Sequence, residues 1–395
     1  MAQFDYAVIG RGLTGSAAAR HLSLQSRRVA LIGPEEPAEK KSHRGVFASH
    51  YDEGRITRTI DPDENWARLA NRAISRYRAI ESQSGVAFYT ETGCLISGLN
   101  FGNGARYVGN SRANAATFGL NTEDHDRGSL RDRFPYFEFE DGIGAIFEKD
   151  GAGHISPRRL VAAQARSAGL NGATLIGESV RRVRPRSDHV EIVTSGGDSI
   201  TASRVVVATG GYTIMPGLLP DPIDMAVQAR TVTLFDVSPA EAARLKTMPS
   251  LIFEAENAEE GIYLLPPILY PDGRHYLKIG AETPEKQLHN EQEIGDWFRS
   301  DGSDHAREFV VSQASRFVPE LRIDGISTLT CVTSQTPTGY PAIGWSDSSR
   351  VAVMAGGCGS SAKSSDEIGR LGCQLLLDGS IADQGYSADF EPRFK

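Results

Sequence analysis

Apolar positions open the chain as a block. Phe4, Tyr6, Ala7, Val8 and Ile9 cluster as in a buried parallel strand. Glycines follow, then Ser16 to Leu24, whose alanines suit close helix packing, and Val29 to Ile32 reads as a second strand. Strand, turn, helix and strand within about thirty residues have the dimensions of a βαβ crossover. The pattern turns polar from Pro34 to Ser49, a long loop. Helical spacing returns over Glu64 to Ile80, and short strand-like runs continue to about Ile146. Pro157 to Ala168 reads as a helix with proline in its first turn. A hairpin is expected over Val180 to Val193, and a buried strand over Arg204 to Ala208, ending in Thr209-Gly210-Gly211.

Between Met225 and Leu329 the reading is strands at Thr231 to Phe235, Gly261 to Leu265 and His275 to Ile279, with helices near Glu291 to Phe298 and Ala306 to Phe317. That is an antiparallel sheet with helices, distinct from the opening unit. The end returns to the earlier grammar: strand Val351 to Ala355, a glycine turn, and a helix over Ala362 to Leu377. The expected fold class is therefore α/β with an α+β second domain. A discontinuous Rossmann-like nucleotide domain (1–85, 145–222 and 325–395) receives an inserted antiparallel-sheet substrate domain (86–144 and 223–324).

At 395 residues the chain exceeds one simple core, which fits two domains sharing a cleft. Its net charge of −8 speaks against a nucleic-acid partner. Val180, Val183, Val190 and Ile192 interrupt or follow Arg181, Arg182, Arg184 and Arg186, which read as a solvated strand face. No run approaches the ~20 apolar residues that span a bilayer, and the polar start from Met1 to Tyr6 has no secretory pattern. Cys94, Cys331, Cys358 and Cys373 are scattered, without metal-ligand spacing. These features predict a soluble cytoplasmic protein, a monomer without metal or disulfides.

Gly10-Arg11-Gly12-Leu13-Thr14-Gly15 is G-x-G-x-x-G between a strand and a helix. Gly10 permits the turn, Gly12 lets backbone approach a pyrophosphate, and Gly15 lets helix pack on strand. The helix N-terminus offers free N–H groups and a positive dipole end. A dinucleotide site follows, with a plain tight turn as the alternative. The acidic residue that should bind ribose about 20 residues further on is replaced by Gly33. Glu35 or Glu36 reaching round, backbone, or water would then serve.

Four further segments carry a resemblance. They are Ser49-His50-Tyr51-Asp52-Glu53-Gly54-Arg55-Ile56-Thr57-Arg58, Tyr276-Leu277-Lys278-Ile279-Gly280, Thr330-Cys331-Val332-Thr333-Ser334-Gln335-Thr336-Pro337, and Ala355-Gly356-Gly357-Cys358-Gly359-Ser360-Ser361-Ala362-Lys363. With them the chain resembles the D-amino-acid-oxidase superfamily, in the branch of monomeric sarcosine oxidase and N-methyltryptophan oxidase. The resemblance implies Arg55 beside a flavin and Arg58 with Lys363 clamping a substrate carboxylate. It also implies Lys278 as the site of oxygen activation, where a cation stabilises developing superoxide, and Cys331 as the thiol that joins the flavin 8-methyl carbon, an unmodified thiol being the alternative. Gly357 and Gly359 would face the flavin pyrimidine edge. Val180 would meet adenine, and Thr209 with Gly210 the phosphates. Tyr51, Glu282 and Ser360 stand where the family often carries histidines, and Tyr263 lies beside Leu264, where a family tyrosine is expected. The substrate wall is thus altered.

The activity so implied is FAD-dependent oxidation of an amino acid or N-alkyl amino acid to an imine, with oxygen reduced to hydrogen peroxide. The alternatives are a dehydrogenase of an amino or 2-hydroxy acid with another electron acceptor, and a catalytically silent flavoprotein module.

Overall fold

A computed structural model describes residues 3–395; Met1 and Ala2, the beginning of the polar start, lie outside it. Phe4–Ile9 is flanked by Val29–Ile32 and Ser199–Val207, both parallel to it, and Thr174–Ile176 extends the sheet beyond Val29–Ile32. Ser199–Val207 forks. Its first half pairs with Val190–Thr194 in a hairpin with Val180–Pro185, and its second half runs parallel to Val351–Ala355.

The period of two along these strands divides the core into layers. Ala7, Ile9, Ala30, Ile32, Val205 and Val207 face Met225, Val227, Trp297 and Phe298. Val8, Val29, Leu31 and Val206 face Ala18, Leu22, Ile368, Leu371 and Leu375. The second group comes from the helices Leu13–Ser23 and Ser361–Asp378. With both faces covered, the central strands are apolar throughout, as parallel strands are.

The second sheet has nine strands and is antiparallel, except that Ser250–Glu254 runs parallel to Cys94–Leu99. Its spine is Ala226–Val237, paired with His275–Ala281 and, from Ala226↔Gln335 to Asp236↔Gly325, with Gly325–Gln335. The expected boundaries placed Gly325–Gln335 with the nucleotide unit and cut Ile143–Glu148 between residues 144 and 145, whereas both strands run whole in this sheet. A small third sheet joins Arg55–Thr57, Gly153–Ile155 and Tyr89–Thr90. The strand-like reading up to Ile146 did not foresee the helix Gly102–Thr117. The helix expected over Glu64 to Ile80 is two, Glu64–Ile74 and Tyr77–Ser84. Among the described residues no helix is long and apolar enough to cross a membrane.

Candidate active site

A cavity of about 560 Å³ begins at the carboxyl ends of the parallel strands and ends against the antiparallel sheet. Gly10, Gly12, Leu13, Thr14, Val180, Thr209 and Gly210 line its first part. Gly10 has φ +114, and a Cβ there would stand 2.2 Å from the Ala208 carbonyl oxygen, so only glycine fits. A Cβ on Gly12 would meet nothing within 4 Å; it would project into open space. The helix Leu13–Ser23 starts with no side-chain cap and no acidic residue in its first turn, so its N-terminus presents bare dipole ends. Gly15 packs on Gly10 behind the wall.

The missing ribose acid has a steric cause. A Cβ at Gly33 would lie 2.6 Å from the Arg11 backbone nitrogen, so Arg11 occupies that space. Glu35, expected to reach round, pairs with Arg11 at 3.1 Å with its side chain 76% exposed, and is not part of the wall. Glu36 pairs with Arg158 at 2.5 Å.

The segment from Ser49 to Arg58 forms the middle of the cavity. His50, Tyr51, Arg55 and Arg58 line it, but Lys278 stands behind the wall, fully buried. Its Nζ donates to Asp52 Oδ2 at 2.5 Å and to the Gly54 carbonyl at 2.6 Å. Burial and the Arg55 guanidinium drive its pKa well below the ordinary lysine range. Asp52 also contacts Arg55 and accepts from the Tyr270 hydroxyl at 2.7 Å. Burial, with Arg158, Arg11 and Arg55 adding, pushes His50 down to about 3, so its imidazole is neutral. Cys331 lines the main cavity and a side chamber of about 130 Å³ that it shares with Lys40, Tyr51 and Arg55. Opposite it in the ladder stands Arg230.

Arg58 and Lys363 both lie against a third group, Asp61. Asp61 Oδ2 lies 2.9 Å from Arg58 Nη2 and 3.1 Å from Lys363 Nζ. Burial raises the Asp61 carboxyl, but Lys363 and Arg58 outweigh it and hold the pKa below the usual value. Burial lowers Lys363 to about 8, against the opposing charge of Asp61. Arg58 also donates to the Tyr107 hydroxyl at 3.3 Å, while its Nε is buried without a hydrogen-bond partner. Two cations and one carboxylate leave one positive charge in the wall. Gly357, Gly359 and Ser360 line the cavity at the start of the helix Ser361–Asp378. Tyr263 and Glu282 line it from the antiparallel sheet.

Compared with known proteins, residues 5–375 match the profile described as FAD dependent oxidoreductase (DAO). The chain belongs to the DAO family of FAD-dependent oxidoreductases. A monomeric sarcosine oxidase of Streptomyces avermitilis is 27% identical to this oxidoreductase, over 96% of this chain and 95% of its own. Among solved structures, NikD, an unusual amino acid oxidase essential for nikkomycin biosynthesis, superimposes with TM-score 0.78 at 19% identity, covering 100% of this chain and 98% of its own. Glycine oxidase from Geobacillus kaustophilus superimposes with TM-score 0.74 at 20% identity, covering 99% and 98%.

The residues of the oxidoreductase fit FAD. The open space before Gly12 and the uncapped helix suit its pyrophosphate, and the turn Gly356 to Ser360 opens a second uncapped helix onto the same cavity. Gly356, Cys358 and Gly359 all have positive φ in that turn, which turns the chain sharply into the helix. Sequence reasoning missed Asp52, Asp61, Tyr107, His50 and Arg230. Asp61 carried a signal, being three residues after Arg58; nothing local marked Tyr107 or Arg230.

Proposed function

We propose that the chain oxidises the C–N bond of an α-amino or N-alkyl α-amino acid to the imine, which water hydrolyses. Bound FAD supplies the acceptor for the two electrons and the hydrogen, and oxygen takes them on as hydrogen peroxide. Arg58 and Lys363 hold the carboxylate, and the single positive charge they leave after Asp61 is matched by one carboxylate. That buried pair at the cavity wall is the observation carrying the proposal. Neutral His50 and the tyrosines Tyr51, Tyr107 and Tyr263 complete the wall without adding charge.

Cys331 tethers the flavin in this reading, and Lys278 serves oxygen. A dehydrogenase with another electron acceptor is the second reading, because Lys278 stands behind the cavity wall with its amine already engaged by Asp52. The division of labour follows the sheets, with Ile143–Glu148 and Gly325–Gln335 counted on the substrate side, in a monomer of the cytoplasm.

Acid precipitation of purified protein tests the tether: flavin absorbance stays in the pellet if Cys331 is bonded and moves to the supernatant if it is not. Amino and N-methyl amino acids added without oxygen should bleach the flavin; no bleaching by any of them sinks the oxidation. Readmitted oxygen then decides between the two readings. Fast recovery that Lys278→Met slows, with bleaching little changed, supports the oxidase, and slow recovery in the native protein supports the dehydrogenase.

A further inference from the structure

We propose that the cavity has a second, anionic pole facing the carboxylate clamp, so that the preferred substrate is an amino acid with a cationic side chain. This rests on the amino-acid oxidation proposed above. Glu254, ending the strand Ser250–Glu254, and Glu282, just after His275–Ala281, both line the cavity. The strand between them, Ile262–Leu269, contributes Tyr263, so the two carboxylates flank one patch of wall. Glu254 accepts from Asn103 Nδ2 at 2.5 Å and, among the described residues, has no cationic partner. Glu282 has Arg230 at 4.0 Å, the limit of an ion pair.

Two carboxylates and Arg230 leave one negative charge at this end. The clamp leaves one positive charge at the other, where nine-tenths-buried Arg58 still has an unpartnered Nε. Tyr107 stands between the poles. Its hydroxyl accepts from Arg58, and beyond the burial that raises its pKa, the charges of Arg58, Asp61 and Glu254 all act on it. Burial raises the Glu254 pKa, and the Glu282 charge raises it further, the signature of an anion short of a counter-charge. Outside the cavity Glu256, Glu259 and Glu260 are exposed on the segment after Glu254 and add to the negative field on that side. A substrate with a carboxylate at one end and an ammonium or guanidinium at the other matches both poles, whereas an aliphatic side chain leaves the carboxylates facing it unpaired.

The test is anaerobic flavin reduction of the holoenzyme by lysine and ornithine against norleucine and norvaline, each also as the N-methyl derivative. The basic members should be favoured at least ~10-fold in reduction rate over dissociation constant, the equivalent of one charge contact. Glu254→Gln should shrink that ratio, and the exposed Glu282→Gln, which risks little in folding, should shrink it too. A ratio near one in the native enzyme overturns the anionic pole while leaving amine oxidation intact. Binding gives a second readout independent of turnover. The flavin difference spectrum should show ω-amino acids of four to six carbons binding more tightly than the matching unsubstituted acids. If no amino acid bleaches the flavin but this preference holds, the pole stands and the oxidation reading falls; equal affinities across the series overturn the pole.

Discussion

Asp61 sets the charge state of the clamp at the scale of single residues. It keeps Arg58 and Lys363 from facing each other unscreened in a buried wall, where like charges repel strongly, and it is why Lys363 retains a proton at neutral pH despite full burial. The Lys363 pKa near 8 fixes a pH dependence. The ammonium is present below that value, so monocarboxylates should bind with constant affinity from pH 6 to 7.5. Above pH 8 the affinity should fall, by about tenfold per unit once the lysine is neutral. Lys363→Arg should flatten that fall, and a profile that stays flat to pH 10 in the native enzyme would remove Lys363 from carboxylate binding. Arg58 and Lys363 could be singled out from the sequence because each sits in a motif. Asp52 was quoted within a motif, yet its pairing with Lys278, 226 residues away, exists only after the antiparallel sheet closes over the Ser49–Arg58 segment.

At the scale of elements, the helix Gly102–Thr117 escaped the hydrophobic pattern. The helix Gly102–Thr117 buries Gly104, Val108, Ser111 and Ala115, a helical spacing with a single large apolar member. Its packing partner is backbone: a Cβ on Gly104 would come within 2.5 Å of the Leu99 nitrogen. Close approach, not apolar bulk, holds that helix, so a hydrophobic pattern has nothing to register. The glycine turn was legible because its spacing is itself the geometry. Its two first glycines should fail differently. Gly10→Ala meets both a positive φ and a backbone oxygen, and should lower thermal stability by about 1–3 kcal/mol or more. Gly12→Ala, with room for its methyl group, should fold with nearly native stability as the apoprotein and lose FAD affinity. Equal loss of stability in the two apoproteins would contradict this division.

The whole molecule is pinned by a buried charge cluster in the nucleotide unit. Asp366 receives Arg20 at 2.7 Å, Arg76 at 2.5 Å and Gln164 at 2.9 Å, while Glu367 receives Arg76 at 2.6 Å and Arg370 at 2.8 Å. These contacts tie Leu13–Ser23, Pro157–Leu170 and the residues after Glu64–Ile74 to the long helix Ser361–Asp378. Burial pushes the Asp366 carboxyl up, but His21, Arg20 and Arg76 outweigh it and hold the pKa well below the ordinary value. A carboxyl whose folded pKa is depressed contributes stability above its unfolded pKa, near 3.9, and loses it as pH falls through the folded value. The melting temperature should therefore start to drop below about pH 4 through this residue. Asp366→Asn should cost about 3–5 kcal/mol at neutral pH, because it strands buried cations, and should show a smaller acid-induced drop than the native chain.

Cys331 lies on Gly325–Gln335, beside the spine of the antiparallel sheet, while the glycine turn springs from the parallel one. A dinucleotide cradled at one end and bonded at the other is a crosslink whose middle span is not polypeptide. Like a disulfide that closes a long loop, it would restrict the unfolded chain and couple the melting of the two sheets more tightly. If the proposed tether forms, Cys331→Ser saturated with FAD should melt at a lower temperature than the native protein, and in two steps where the native protein melts in one. Making the bond would be the last act of folding, since only a chain with both sheets already in place could bring thiol and ring together.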